Sequence, residues 1–337
     1  MGSDTNATTS TSSAGAGAIG STTPDPIAVA ARGREITGLD IFRRTADESA
    51  ICMTRVEELM STMHADVPPG GTDISYGSND SRVLRFWKPS SKPSSGSTNK
   101  APPIILFVHG GSWRIGTYLD SIGSAKVPHL TSLGYAFATV NYTLFPAVSV
   151  AEQVQEVANA VGHLVKNSTT LEIDPERVIL MGHSSGAHVA SLLGTDTRYL
   201  ERAGVAIAAI HGVIALDGSN YNAPAELLDS PGPVAENMLY ALGKEVETLR
   251  EMSPTYNARG PNARAFLLLH AQRQGDIRQA AEFVNVLGVT GTTEAALHVF
   301  EGEGFEGHVQ LLLRLGDQTY PATKVLVDWL SVHVPVA

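Results

Sequence analysis

Short apolar runs alternate with helix-period patterns along most of the chain from about residue 71 onward. The runs are apolar at consecutive positions, which is typical of strands buried on both faces of a parallel sheet. The predicted strands are Ile104–Val108, Ala136–Val140, Val178–Met181, Ala206–Leu216, Ala265–Leu269 and Leu297–Phe300. The predicted helices are Gly123–Leu133, Ala151–Val165, Ser185–Leu193, Ile277–Leu287, His308–Leu315 and Ala322–His333. This alternation predicts an α/β protein whose mostly parallel sheet carries helices on both faces.

Two further segments precede the apolar runs and have a different pattern. Asp73–Tyr76 and Val83–Trp87 alternate between polar and apolar residues, as the two strands of an antiparallel hairpin do. Pro89–Pro102 is rich in Ser, Lys and Pro and is predicted to be a surface loop. With the hairpin, the predicted sheet has eight strands, and the folded domain covers residues 71–337.

The first 70 residues differ in composition from the rest. Residues 1–25 are mostly Ser, Thr, Gly, Ala and Asp, a low-complexity segment that we expect to be disordered. Residues 26–70 contain apolar positions at helical spacing, from Ile41 to Met60, and are predicted to form a helical segment. Two interpretations stay open for that segment: a cap over a site, or a brace against the outside of the core.

Composition excludes several classes of function. The 337-residue chain is 43% hydrophobic with a formal net charge of −10, and it has no cluster of Lys and Arg, so nucleic acid and anionic membranes are poor candidate partners. No apolar run is long enough to span a membrane, and residues 1–25 contain no apolar stretch typical of a signal peptide, from which we expect a cytoplasmic protein. Cys52 is the single cysteine. Phosphate-binding, dinucleotide-binding and metal-ligating motifs are absent, so we expect no cofactor and no metal.

The pentapeptide Gly182–Gly186 is the motif most directly linked to chemistry. Its sequence is Gly-His-Ser-Ser-Gly, and it lies between a predicted buried strand and a predicted helix. This layout is typical of a nucleophile elbow, a sharp turn that holds a serine at positive φ and exposes its Oγ at a helix N-terminus. The glycines are needed because a Cβ there would strike the neighbouring strand or helix. Ser184 is therefore the candidate nucleophile.

A second motif supplies candidates for stabilising an oxyanion. His109-Gly-Gly-Ser-Trp113 directly follows the strand Ile104–Val108. Adjacent glycines let the backbone approach a bound acyl oxygen and turn N–H groups towards it. We therefore predict an oxyanion hole formed by the N–H groups of Gly110, Gly111 and Ser185.

Serine needs a general base and an acid that orients the base. His308 follows the last predicted strand after a glycine-rich stretch, Glu301–Gly307, which we interpret as a loop that carries the imidazole to the sheet end. Asp276 follows the Ala265–Leu269 strand, and the order Ser184, Asp276, His308 is the chain order of a hydrolase triad. Asp217, at the end of the preceding strand, is the competing acid, and Asp276 is preferred.

The candidate substrate-binding residues come from several places in the chain. An insertion at about 218–254 is predicted to form a small cap with an apolar lining, although packing onto the core explains its composition equally well. The predicted binding residues are Ser112, Trp113, Tyr142, His188 and Tyr221.

Taken together, these motifs resemble the HGG-bearing esterase and lipase branch of the α/β-hydrolases. Within it, His109-Gly-Gly-Ser-Trp113 and Gly182-His-Ser-Ser-Gly-Ala-His188 are similar to the patterns of kynurenine formamidase (arylformamidase) relatives. The resemblance covers roughly residues 70–335. It implies an α/β-hydrolase fold with Ser184, Asp276 and His308 as a triad. Ser112 replaces the aromatic residue of the formamidase pattern, which puts formylkynurenine in question as a substrate.

The predicted function is hydrolysis of a carboxylic ester of a small to medium organic substrate through an acyl-enzyme. Three alternatives stay open: an arylformamidase, a biosynthetic enzyme that uses the triad for acyl transfer, cyclisation or carbon–carbon cleavage, and a non-catalytic binding module. The shared triad chemistry does not separate the enzymatic alternatives, because pocket shape decides among them. The expected partner is a small-molecule substrate, and both a monomer and a homodimer are compatible with the sequence.

Overall fold

The computed structural model describes residues 66–91, 100–119 and 122–336. The predicted disordered segment 1–25, positions 26–65 of the predicted helical segment and Cys52 lie outside these ranges. Residues 66–71 are irregular and lead directly into the first strand, so the predicted helical segment does not extend to residue 70.

A single eight-stranded sheet runs through the described part of the chain. Its strands are β1 (Thr72–Ser75), β2 (Val83–Trp87), β3 (Ile104–Val108), β4 (Ala136–Val140), β5 (Val178–His183), β6 (Ile210–Leu216), β7 (Ala265–Gln272) and β8 (Glu294–Glu303). Their spatial order is β1-β2-β4-β3-β5-β6-β7-β8. β2 pairs antiparallel with β1 and with β4, and every other neighbouring pair is parallel. The predicted hairpin and the six predicted core strands are confirmed.

Helices cover both faces of this sheet, as predicted. They are α1 (Lys126–Ser132), α2 (Val150–Lys166), α3 (Ser168–Leu171), α4 (Ser185–Leu193), α5 (Thr197–Arg202), α6 (Ala223–Asp229), α7 (Pro233–Leu242), α8 (Val246–Glu251), α9 (Pro254–Asn257), α10 (Gln274–Val289), α11 (Gly304–Arg314) and α12 (Pro321–His333).

The strand β3 shows why consecutive residues are apolar. Ile104, Leu106 and Val108 pack into the core that contains α2, α4 and α10. Ile105 and Phe107, which point the other way, pack into the core that contains α1, α11 and α12. Because successive side chains of a strand point to opposite faces, a sheet that is covered on both faces needs apolar residues at every position.

Two parts of the chain differ from the prediction. The insertion at 218–254 forms the short helices α6 to α8 and leads into α9, none of which the sequence pattern predicted as a helix. The segment Glu301–Gly307 is not a loop: β8 continues to Glu303, and α11 begins at Gly304. Pairing of Gln272 with Glu303 extends β8, because backbone groups gain partners by joining the sheet.

Candidate active site

Ser184 lies in the sharp turn between β5 and α4, with φ 55° and ψ −123°. This is the strained backbone conformation that the pentapeptide predicts for a nucleophile elbow. The N–H of Ser184 donates to the carbonyl oxygen of Leu216 at 3.0 Å, which ties the turn to the end of β6. A Cβ on Gly182 would lie 2.1 Å from the oxygen of Gly186, and a Cβ on Gly186 would lie 2.2 Å from the oxygen of Val108. The turn can therefore close only with glycine at both positions.

The glycine loop after β3 lies against this turn. A Cβ on Gly110 would come within 3.0 Å of the Ser184 Cβ, so the Gly110 backbone is directly beside the candidate nucleophile. Gly111 has φ 116°, a conformation that favours glycine, and its oxygen accepts hydrogen bonds from the N–H groups of Arg114 and Ile115. The Trp113 N–H donates to Ser185 Oγ at 3.2 Å and so joins the loop to the start of α4.

The backbone N–H groups of Gly110, Gly111 and Ser185 are the donors that the sequence predicts for an oxyanion hole. Across the described ranges, no hydrogen bond between protein groups uses the N–H of Gly110 or Gly111. Ser185 is the first residue of α4, and the first N–H groups of a helix have no partner within that helix. These donors are therefore available to a developing negative charge, as an oxyanion hole requires.

His308 is oriented by Asp217, and the preference for Asp276 in this position is wrong. The Nδ1 of His308 lies 2.5 Å from Asp217 Oδ2. Asp217 directly follows β6, and its N–H donates to the oxygen of Leu269 in β7 at 2.7 Å, which fixes it at the carboxyl end of the sheet. The reason is structural: α10 begins at Gln274, so Asp276 lies inside the first helical turn instead of in the loop that leads to the site.

Asp276 has another partner. Its Oδ2 forms an ion pair with Arg273 Nη2 at 2.7 Å, and its side chain is almost fully buried. Burial raises the pKa of Asp276 to about 7, although the Arg273 charge acts in the opposite direction. Asp276 is therefore a neighbour of the Asp217–His308 pair and not a member of it.

The charges around Asp217 favour its ionised form. Burial by itself would raise the pKa of Asp217, but contacts with His270, His308 and Arg273 outweigh it and hold the pKa well below its usual value. Asp217 Oδ1 accepts the Ala271 N–H at 2.8 Å and lies 3.3 Å from His270 Nδ1. Burial lowers the pKa of His308, and the Arg273 charge lowers it further against the attraction of Asp217. His308 is thus held as the neutral imidazole that a general base must be.

His183 connects the nucleophile turn with the helix that carries His308. The two imidazole rings lie 4.3 Å apart, and His183 Nε2 donates to the backbone oxygen of His308 at 3.0 Å. Burial lowers the pKa of His183 well below its usual value, so the ring is neutral. His183, the residue that precedes Ser184, therefore ties α11 to the nucleophile turn.

The predicted substrate-binding residues are mostly core side chains. Tyr142 is buried, stacks on His109 and donates to its backbone oxygen, while Tyr221 is buried and stacks on Phe283. His188 is buried, and its Nε2 donates to Met252, which ties α4 to the segment between α8 and α9. Because these three side chains are buried and already hydrogen-bonded or stacked, they have little surface left to contact a substrate.

Ser112 and Trp113 lie in the glycine loop and have positive φ values of 53° and 64°. The Trp113 ring is buried edge-on against His188 at 5.3 Å, whereas Ser112 is half-buried. Of the five predicted binding residues, Ser112 is thus the one whose side chain is partly exposed beside the candidate site.

Comparison with known proteins identifies the fold. The BD-FAE family model matches residues 92–218, which contain both glycine motifs. Esterase B from Lactobacillus rhamnosis has 17% sequence identity and a TM-score of 0.67, with 86% of this chain and 94% of that chain covered. Esterase 2 from Thermogutta terrifontis has 19% identity and a TM-score of 0.60, with 80% and 94% covered. The protein has the α/β-hydrolase fold.

The curated relatives that match part of this chain are named as esterases. The isoprenylcysteine alpha-carbonyl methylesterase of Arabidopsis thaliana is 29% identical over 130 residues, or 38% of this chain and 29% of the relative. Esterase LipC of Mycobacterium tuberculosis is 23% identical over 243 residues, or 68% of this chain and 58% of the relative. The chain therefore spans less than two thirds of the length of these relatives. These matches support an esterase or lipase of the HGG type, and similarity to arylformamidases is not shown.

Three residues of the site were missed or given no role in the sequence analysis. Arg273 and His270 contact Asp217, and His183 contacts His308. Each lies at the carboxyl end of a core strand, where functional groups of parallel sheets gather, and this position is the signal that could have indicated them.

In the described part of the chain, no helix combines the length and apolar character needed to cross a membrane. Nor do the described residues include a group of three or more His, Cys, Asp or Glu side chains arranged to hold a metal ion.

Proposed function

We propose that this protein is a serine esterase that cleaves a carboxylic ester of a small to medium organic molecule through an acyl-enzyme. The observation that carries the proposal is the coincidence of two features at one sheet edge. Ser184 has the strained conformation of a nucleophile elbow, and His308, paired with Asp217 at 2.5 Å, lies against the adjacent residue His183. Chance packing rarely combines a strained serine with a buried Asp–His pair.

The chemical steps follow from this geometry. His308 accepts the proton of Ser184 Oγ as the oxygen attacks the ester carbonyl, and Asp217 stabilises the imidazolium that forms. The N–H groups of Gly110, Gly111 and Ser185 bind the oxyanion of the tetrahedral intermediate. His308 then donates the proton to the departing alcohol. A water molecule, activated by the same imidazole, hydrolyses the acyl-enzyme and releases the acid.

The residues around the site favour an organic substrate with apolar parts. Phe305 is partly exposed with its ring 5.7 Å from that of His308. Tyr240 of α7 is half exposed and contacts Phe145 and Arg114 at 5.1 Å and 5.0 Å. We propose that α7, within the predicted cap, forms one wall of the pocket, because Arg114 directly follows Trp113 of the glycine loop.

The test compares hydrolysis of short-chain p-nitrophenyl esters by the wild-type protein and Ser184→Ala. We expect kcat to fall by about 10⁴-fold or more, since removal of the nucleophile leaves only oxyanion stabilisation and binding. A fluorophosphonate should label the wild type but not Ser184→Ala, and Ser331→Ala, which alters an exposed serine on α12, should behave as the wild type. Full activity in Ser184→Ala would contradict the proposal.

N-formyl-L-kynurenine serves as the competing substrate in the same assay. The relatives described here are named as ester hydrolases, so a preference for the ester is expected. A higher kcat/KM for the formamide would replace the esterase with an arylformamidase that uses the same serine. Efficient labelling without hydrolysis of either substrate would indicate acyl transfer, cyclisation or carbon–carbon cleavage of a specialised substrate.

A further inference from the structure

Arg273 lies between the proposed catalytic acid and a second buried carboxylate. Its Nη1 is 2.7 Å from Asp217 Oδ2, and its Nη2 is 2.7 Å from Asp276 Oδ2. The residue stands directly after β7, at the start of α10, which is the place from which the sequence analysis expected an acid. After β7 a cation, Arg273, therefore approaches the His308 ring, and the carboxylate that pairs with the ring follows β6.

The same guanidinium also contacts the proposed base. Arg273 Nη1 lies 3.0 Å from His308 Nδ1, so one oxygen, Asp217 Oδ2, receives both the imidazole and the guanidinium. When Nδ1 carries the ring proton, it donates to Asp217 Oδ2. That oxygen then accepts from two donors, His308 Nδ1 and Arg273 Nη1. A positive charge at this distance opposes the gain of a second positive charge by the ring.

We infer that Arg273 is a positioning residue of the triad: its guanidinium fixes the shared oxygen of Asp217 against His308 and places a positive charge 3.0 Å from the imidazole. The inference rests on the proposed function, because Arg273 acts through the proposed acid and base. Its benefit is a neutral base at lower pH: with the imidazole less easily protonated, more of the enzyme is in the active form.

Asp276 completes this arrangement by holding the other arm of the guanidinium. Each Nη atom of Arg273 contacts a different carboxylate, so the guanidinium bridges Asp217 and Asp276 and cannot turn away from Asp217 without losing an ion pair. Glu226, buried nearby, accepts hydrogen bonds from Gln279 and the Asn220 N–H, and burial raises its pKa. The charged and titratable groups facing the cluster are Asp217, His183, His270, Arg273, Asp276, Glu226 and Tyr221.

The test measures the proton affinity of His308 directly by NMR titration of protein labelled at the histidine ring carbons, with His308→Gln to assign the signal. Arg273→Gln keeps hydrogen-bond donors towards Asp217 but removes the charge, and should raise the His308 midpoint by about one pH unit or more. Arg273→Lys keeps the charge and should leave the midpoint near that of the wild type. The acid limb of kcat/KM should move in the same way.

Asp276→Asn gives a second, milder variant with the cation retained. Its His308 midpoint should not rise, whereas kcat should fall because one arm of Arg273 is released. Arg278→Gln is the matched control: Arg278 lies on the same helix and pairs with Asp229 away from the triad, so its removal should shift nothing. Circular dichroism of each variant verifies the fold.

Two outcomes would overturn the inference: an unchanged His308 midpoint in Arg273→Gln, or equal upward shifts in Arg273→Gln and Arg273→Lys. Either would mean that the ion pair only holds the structure together. The NMR readout needs no substrate, so it distinguishes this failure from failure of the proposed function, which Ser184→Ala tests on its own.

Discussion

At the scale of single residues, local motifs predict the candidate nucleophile, whereas contacts in the folded protein determine which carboxylate pairs with His308. Ser184 has the backbone conformation that its pentapeptide predicts, because two flanking contacts admit only glycine. Asp217 and Asp276 both follow core strands, and the sequence offered only their positions in the chain as a basis for choosing the acid. The decision between them depends on where α10 begins, since that start places Asp276 inside a helical turn and leaves Asp217 against His308.

Substitution of each acid by asparagine tests this assignment. Asp217→Asn should lower kcat by about 10⁴-fold, because an amide at Oδ2 favours the wrong imidazole tautomer and cannot stabilise the imidazolium. Asp276→Asn should lower kcat by less than about tenfold, because its effect passes through Arg273. Hydrolysis of a p-nitrophenyl ester at pH 8 measures both. The reverse ranking of the two variants would return Asp276 to the triad.

At the scale of secondary-structure elements, close backbone packing explains the glycines around the site. β3, β5 and α4 meet at the nucleophile turn, where Gly186 lies against the oxygens of Val108 and His109. The helices of the insertion could not be predicted in the same way. They are four to ten residues long, and short helices offer few apolar repeats from which to predict them. His188 anchors the segment between α8 and α9 to α4 through a contact with Met252 that only the fold creates.

Alanine at three glycines distinguishes packing from helix propensity. Gly182→Ala and Gly186→Ala should destabilise the protein by on the order of 1–3 kcal/mol or more and abolish activity, since the new Cβ meets backbone that cannot move away. Gly288→Ala, at an exposed position of α10 with no atom within 4 Å of the new Cβ, should instead stabilise it by about 0.5–1 kcal/mol. Urea unfolding measures all three. Tolerance of alanine at Gly186 would contradict the packing argument.

At the scale of the whole molecule, a buried cation connects two helices on one face of the sheet. Lys126 of α1 is fully buried, contacts the backbone oxygen of Leu312 in α11 and lies 5.4 Å from the Phe107 ring centre. No carboxylate of the described residues pairs with it. Burial lowers the pKa of Lys126 to about 7. At neutral pH the amine is therefore protonated in the unfolded chain but only partly protonated in the folded protein, and this difference reduces the free energy of unfolding.

Global stability should therefore depend on pH through Lys126. The cost of burial is fully present below pH 7 and disappears as the pH rises to the unfolded value of about 10.4. Lys126→Met should raise the free energy of unfolding by up to about 4 kcal/mol at pH 7, and the gain should shrink towards pH 10. Urea unfolding of both proteins at the two pH values measures this. A gain independent of pH would show that packing, and not the charge, is responsible.

Apolar periodicity in the sequence predicts the eight-stranded α/β sheet with helices on both faces, and the glycine motifs predict the nucleophile turn and the glycine loop. These features are local: apolar periodicity and closely spaced glycines are legible within a few neighbouring residues. Only the tertiary structure chose Asp217 over Asp276, buried Tyr142, Tyr221 and His188 in the core, and placed Arg273 between two carboxylates. Those outcomes depend on contacts between residues far apart in the chain, where a helix start or a strand register that differs by one residue changes which polar groups meet.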